Sequence, residues 1–266
     1  MKKVLLSDLD GTLLDLKSYS FAQSEASVKA LKQKGIPIVF CSSKSRVEQE
    51  HYREALEISD PFIVENGSAI FIPKGYFSKP IPFNTYQTEH YEVIALGKPV
   101  SYIREVIHEA RTYLSLSFLC YFDISAEEVS MHTGLDLKSS RRAMQREFSE
   151  TILKGKVNEP FLNFLAQNGL RNIPGSKFQT IISDKADKGK AVDILLALYE
   201  NEWGEVKSYG VGDSVNDFEM LQNVDDPYLV QRPGSLWAEL DDENIKNVQG
   251  VGPEGWNRVS QIMLDS

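Results

Sequence analysis

Two pairs of aspartates bound the chemistry open to this chain. Asp8 and Asp10 stand two residues apart after the apolar run Val4-Leu5-Leu6-Ser7, and Asp213 and Asp217 follow Ser208-Tyr209-Gly210-Val211-Gly212. A single aspartate at a strand end is ordinarily a turn or helix-cap residue. Two pairs at strand ends are different, because carboxylates meeting at one sheet edge repel each other unless a cation neutralises them. All-oxygen donors suit Mg2+. With the cation present, one aspartate can attack phosphorus while another moves the proton. The phosphoryl oxygens then need donors of their own. Ser42, after the run Ile36-Pro37-Ile38-Val39-Phe40-Cys41, offers a hydroxyl, and Lys188, after Asp184-Lys185-Ala186-Asp187, offers an ammonium at a helix N-terminus.

Strands and helices must alternate to hold these groups together. The run ending at Ser7 is followed by a helix between Ser24 and Lys34, with Val28 and Leu31 on one face and Gly35 as its stop. After the second strand, Val47, His51 and Ala55 fall four apart on a second helix. Later come a helix over 188–201, the strand before Asp213, strands at 228–230 and 247–249, and a closing helix carrying Trp256, Val259, Ile262 and Met263. Fully apolar strands alternating with helices predict an α/β fold with a parallel sheet flanked by helices, its ligands beyond the strands' C-terminal ends. Between the two halves the texture changes. Pro73, Pro80 and Pro82 punctuate a loop, and short strands mix with helices such as Ile103-Val106-Ile107-Ala110-Leu114. The expected division is a core of 1–81 and 184–266 with an inserted α+β cap over 82–183.

Composition narrows the partners. With 29 basic against 38 acidic residues the chain carries −9, which opposes binding to nucleic acid or an anionic membrane surface, while a bound cation can still draw in a small phosphorylated anion. Cys41 and Cys120 lack metal-ligand spacing and fit a reducing, cytoplasmic compartment. The apolar start is interrupted by Asp8 and Asp10, so neither a signal peptide nor a membrane span is expected.

In their order, Asp8-Leu9-Asp10-Gly11-Thr12-Leu13, the strand ending at Ser42, Asp187-Lys188-Gly189-Lys190-Ala191 and Gly212-Asp213-Ser214-Val215-Asn216-Asp217 resemble the four motifs of the haloacid dehalogenase (HAD) phosphatases. The resemblance implies a Rossmann-like HAD core with an inserted cap and a Mg2+-dependent phosphatase. It makes Asp8 the nucleophile, Asp10 the acid and base, and Ser42 and Lys188 the phosphate binders. The metal would be held by Asp8, the backbone carbonyl of Asp10, and Asp213, with Asp217 in support.

Ser42-Ser43-Lys44-Ser45-Arg46, Glu65-Asn66-Gly67-Ser68, Arg146-Glu147-Phe148-Ser149-Glu150 and Gly252-Pro253-Glu254-Gly255-Trp256 resemble the mannosyl-3-phosphoglycerate phosphatase branch, whose members make a compatible solute. That likeness offers Glu65, Asn66, Arg146, Glu147, Ser149 and Lys177 as substrate-binding residues. Glu65 and Asn66 also read as an Asn-Gly turn, and Arg146, Glu147 and Glu150 as a solvated helix face. Lys177 stands where the branch is expected to carry arginine, and it cannot make a bidentate contact. Alternatives are a glucosyl-3-phosphoglycerate or sucrose-phosphate type phosphatase, a phosphomannomutase, and a non-catalytic sugar-phosphate sensor, which would have no need of a nucleophile beside a metal.

Overall fold

Each apolar strand sends alternate side chains to two faces, and both faces are covered by helices. The computed structural model describes residues 1–155, 157–175 and 178–266. The chain begins with β1 (Lys2–Ser7), α1 (Glu25–Gln33), β2 (Ile38–Cys41), α2 (Arg46–Ala55), β3 (Phe62–Val64), β4 (Ala69–Pro73), β5 (Tyr86–Gln87) and β6 (Tyr91–Ala95). Its middle holds α3 (Val100–Leu114), β7 (Leu119–Cys120), α4 (Ala126–Thr133), α5 (Leu137–Ala143), β8 (Ser149–Lys154), α6 (Glu159–Gln167), β9 (Leu170–Pro174) and β10 (Gln179–Ser183). It closes with α7 (Lys188–Trp203), β11 (Val206–Gly212), α8 (Phe218–Gln222), β12 (Asp226–Gln231), β13 (Lys246–Val251) and α9 (Pro253–Asp265).

A nine-stranded sheet runs β13-β12-β11-β1-β2-β3-β4-β6-β5. In β1, Leu5 joins the core packed under α1 and α9, while Val4 and Leu6 join the core under α7 and α8. Ile38 and Phe40 of β2 part from Val39 and Cys41 in the same way. The second sheet, β7-β8-β10-β9, is antiparallel. On β8, Ile152 packs toward α3 and α6 with Ile103, Ile107 and Phe161, and its neighbour Leu153 packs with Tyr121, Val129 and Ala143. Among the described residues no helix is long and apolar enough to cross a membrane.

The expected α/β fold with a sheet flanked by helices and a separate α+β part stands, and four details within it differ. The large sheet is mixed, since β4, β6 and β5 pair antiparallel, because the turn between β3 and β4 is too short for a crossover. β5 and β6 therefore belong to the large sheet, although they lie in the stretch expected to be cap. On α2, His51 and Ala55 are exposed, whereas Gln49 and Arg53 are buried. Their polar ends explain it: Gln49 donates to the carbonyls of Lys44 and Ile63, and Arg53 to that of Asp60. On α9, Trp256, Val259 and Met263 are buried, but Ile262 is exposed.

Candidate active site

The catalytic edge is set by strand register. Ser7 pairs with Val211 on one side and with Phe40 on the other, so the chain leaves three adjacent parallel strands at Asp8, Asp213 and Ser42. Asp8 N donates to Val211 O at 2.9 Å. From behind, Trp256 donates to the Ser7 hydroxyl at 2.9 Å, and that hydroxyl donates to the Asp8 carbonyl at 2.6 Å. Gly252 lets this segment close in: a β-carbon there would stand 3.1 Å from the Gly11 carbonyl.

Oxygens of Asp8, Asp213 and Asp217, all buried, lie within 4.8 Å of one another. Such a donor set fits a hard divalent cation. The three carboxylates differ in commitment. Asp217 Oδ2 accepts from the backbone of Asp213 and Ser214 and from the Ser214 hydroxyl at 3.0–3.1 Å, and its Oδ1 accepts from Lys188 at 2.7 Å. Asp213 meets only Arg232, at 3.3 Å, among the ion pairs of the described residues. Asp217 is thus spent on shaping the loop, and Asp213 keeps its acceptors for a cation.

Lys188 Nζ reaches Asp8 Oδ1 at 3.2 Å. Burial opposes its charge, yet Asp217 and Asp8 carry its pKa upward, so the ammonium stays charged. The carboxylates respond oppositely. Burial, then Asp217, pushes the Asp8 carboxyl up to about 7 against the pull of Lys188, and burial with Asp217 and Asp8 pushes Asp213 up to about 8. A divalent cation would reverse both shifts.

Asp10 stands apart from this cluster. Its Oδ2 pairs with Lys44 Nζ at 2.9 Å, and its Oδ1 is buried without a hydrogen-bond partner. Lys44, itself buried, also lies 3.8 Å from Glu48 and over the rings of Tyr19 and Tyr52. Sequence reasoning missed Lys44 as a site residue. The available signal was a lysine two places after Ser42 and just before the Ser45–Glu48 capping box.

The remaining candidates gather at the junction of the two sheets' units, bonded mostly to each other. Glu65 is fully buried, and its carboxylate accepts from the backbone of Glu147 at 2.9 Å and Phe148 at 3.1 Å and from the Ser149 hydroxyl at 2.5 Å. Arg146 donates to the Ser43 carbonyl and to Ser149 at 3.0 Å each. Glu147 pairs with Arg46 at 2.6 Å, and Asn66 accepts from Asn216 at 2.9 Å. Residues 146–148 are not helical, and Glu150 lies buried on β8 against Arg104 at 2.7 Å, so the solvated-helix reading is set aside. Lys177 lies outside the described residues.

Comparison with known proteins agrees with this geometry. A family described as haloacid dehalogenase-like hydrolase matches residues 5–95. A glucosyl-3-phosphoglycerate/mannosyl-3-phosphoglycerate phosphatase of Methanococcoides burtonii is 39% identical over 99% of this chain and 98% of its own. The chain belongs to the haloacid dehalogenase-like phosphatases. The mannosyl-3-phosphoglycerate phosphatase of Pyrococcus horikoshii is 40% identical over 89% of this chain and 92% of its own. The fold of this phosphatase also matches the crystal structure of a haloacid dehalogenase-like hydrolase from Bacteroides thetaiotaomicron, with a TM-score of 0.66 at 13% identity over 99% of this chain and all of the other.

Proposed function

We propose that this phosphatase hydrolyses a glycosyl-3-phosphoglycerate, mannosyl or glucosyl, to the glycosylglycerate and phosphate. The observation that carries the reading is the buried meeting of Asp8, Asp213 and Asp217 with Lys188, within a chain similar along nearly its whole length to phosphatases named for those two substrates. Asp8, Asp213 and the Asp10 carbonyl would hold Mg2+, which, when bound, withdraws charge from the phosphoryl group. Asp8 attacks phosphorus to form an aspartyl phosphate. Asp10, whose Oδ1 has no other partner, gives a proton to the departing glycerate oxygen. Lys188 and Ser42 hold the phosphoryl oxygens as the bond breaks. Asp10 then takes a proton from the water that attacks the aspartyl phosphate, which frees Asp8.

We divide the chain into a core of residues 1–95 and 184–266 and a cap between them, with Glu65, Arg146, Glu147 and Ser149 joining the two. The buried free thiols of Cys41 and Cys120 support a reducing, cytoplasmic setting. A phosphate-release screen in Mg2+ tests the substrate. Mannosyl- or glucosyl-3-phosphoglycerate should show the highest kcat/KM, and faster turnover of sucrose phosphate, trehalose phosphate or a hexose phosphate would overturn the reading.

A further inference from the structure

A cavity of about 350 Å3 lies between core and cap, lined by Tyr19, Lys44, Glu48 and Tyr52 from the core and by Asp136, Ser139 and Arg142 from the cap. Lys44, one of its lining residues, pairs with Asp10, the proposed general acid, at 2.9 Å. A leaving group protonated by Asp10 therefore has this space beside it.

We propose that Arg142 binds the carboxylate of the substrate's glyceric-acid part there, an assignment that rests on the glycosyl-3-phosphoglycerate reading. The chemistry of that substrate places its carboxylate only two carbons from the oxygen that Asp10 protonates. The pocket needs a cation beyond Lys44, which is already shared between Asp10 and Glu48.

The other arginines of this stretch are committed elsewhere. Arg141 faces Glu127 at 3.7 Å, and Arg146 is held by the Ser43 carbonyl and Ser149. Arg142 is half-buried, and its one side-chain hydrogen bond among the described residues goes to a neutral group, the Ser139 hydroxyl at 2.9 Å. Asp136, which also lines the cavity, accepts from that same hydroxyl at 2.9 Å, and the other donors of Arg142 make no hydrogen bond among the described residues, so they can meet a planar carboxylate. Its position is also fixed by the core, since Ser45, which caps α2, donates to the Arg142 carbonyl at 3.1 Å. The cation is delivered to the cavity only where the cap docks on α2.

The test compares wild type, Arg142→Gln and Arg142→Lys on mannosyl-3-phosphoglycerate and on its uncharged carboxamide. Wild type should prefer the acid. Arg142→Gln should raise KM for the acid on the order of 10- to 100-fold and erase most of that preference, because a remote binding contact acts on ground and transition state alike. Arg142→Lys, which keeps the charge and the helix, should restore part of it. Equal losses on acid and carboxamide, or a preference intact in Arg142→Gln, overturn the assignment of Arg142 alone. A wild type that turns over neither mannosyl- nor glucosyl-3-phosphoglycerate overturns the substrate reading, and this assignment with it.

Discussion

At the scale of single residues, Asp8 and Asp10 share a loop but sit in different surroundings, so their variants should fail differently. Asp8→Asn should abolish both turnover and covalent labelling. Asp10→Asn should still be labelled on Asp8 by an aryl phosphate, whose leaving group needs little protonation, and should then release phosphate slowly. Rapid-quench mass spectrometry checks this, and a phosphoryl group on Asp10 would reverse the roles. A second expectation follows from the raised carboxyls of Asp8 and Asp213. Without metal the folded chain holds their protons up to about 7 and about 8, whereas the unfolded chain releases them near 3.8. Their contribution to metal-free stability is therefore fully present in acid and is lost as pH rises toward 8. Magnesium must displace those protons, so calorimetry in buffers of different ionisation enthalpy should find about one to two released at about pH 6 and almost none at about pH 9. Proton release that does not vary with pH would remove these carboxylates from the metal site.

Among the elements, the turn between β3 and β4 and the start of α7 are packed into each other. Gly67 has φ +83°, and a β-carbon there would run into the Asp187 carbonyl and come within 2.5 Å of Lys188 N. Gly67→Ala should lower stability by roughly 2 kcal/mol or more through backbone strain and collision, and should lower kcat by displacing Lys188. Thermal unfolding and phosphate release read both, and a variant with wild-type melting and kcat would break the link. This contact shows where the sequence stops being legible. The positions of Asp8, Ser42 and Asp213 at strand ends and of Lys188 at a helix start could be read because each follows an apolar run or opens a helix, and those are local patterns. The Asn66-Gly67 turn could be read too, and Asn66 and Gly67 do have positive φ. That Glu65 would be buried against residues 147–149 depends on chain segments eighty residues apart, and no local pattern carries it. The same holds for β5 and β6, whose few residues give no sign of which sheet they join, and for Gln49 and Arg53, polar side chains buried because distant carbonyls receive them.

For the whole molecule, the core–cap junction is polar and mostly hydrogen-bonded, with Arg146 Nε buried there without a partner among the described residues. Glu65→Ala would leave Arg146 and the donors of residues 147–149 facing a buried void, so a loss of about 3 kcal/mol is expected. The joint should also loosen. Small-angle scattering should show a larger radius of gyration for the variant, and an unchanged radius with unchanged melting would mean that the carboxylate does not hold the cap. A further property lies in how the chain comes home from the cap. β10 ends at Ser183, Arg171 of β9 donates to the Ala186 carbonyl at 2.8 Å, and Asp187 caps the helix that begins with Lys188. The return path thus ends on Lys188, the proposed phosphate binder, which would make the cap an exchangeable cartridge with one fixed connector. A foreign cap grafted between residues 98 and 182, with residues 146–149 and Arg171 kept in place, should leave aryl-phosphate hydrolysis in place while changing which sugar is accepted. A graft whose seam falls between 184 and 188 should lose both, because it replaces the connector along with the cartridge.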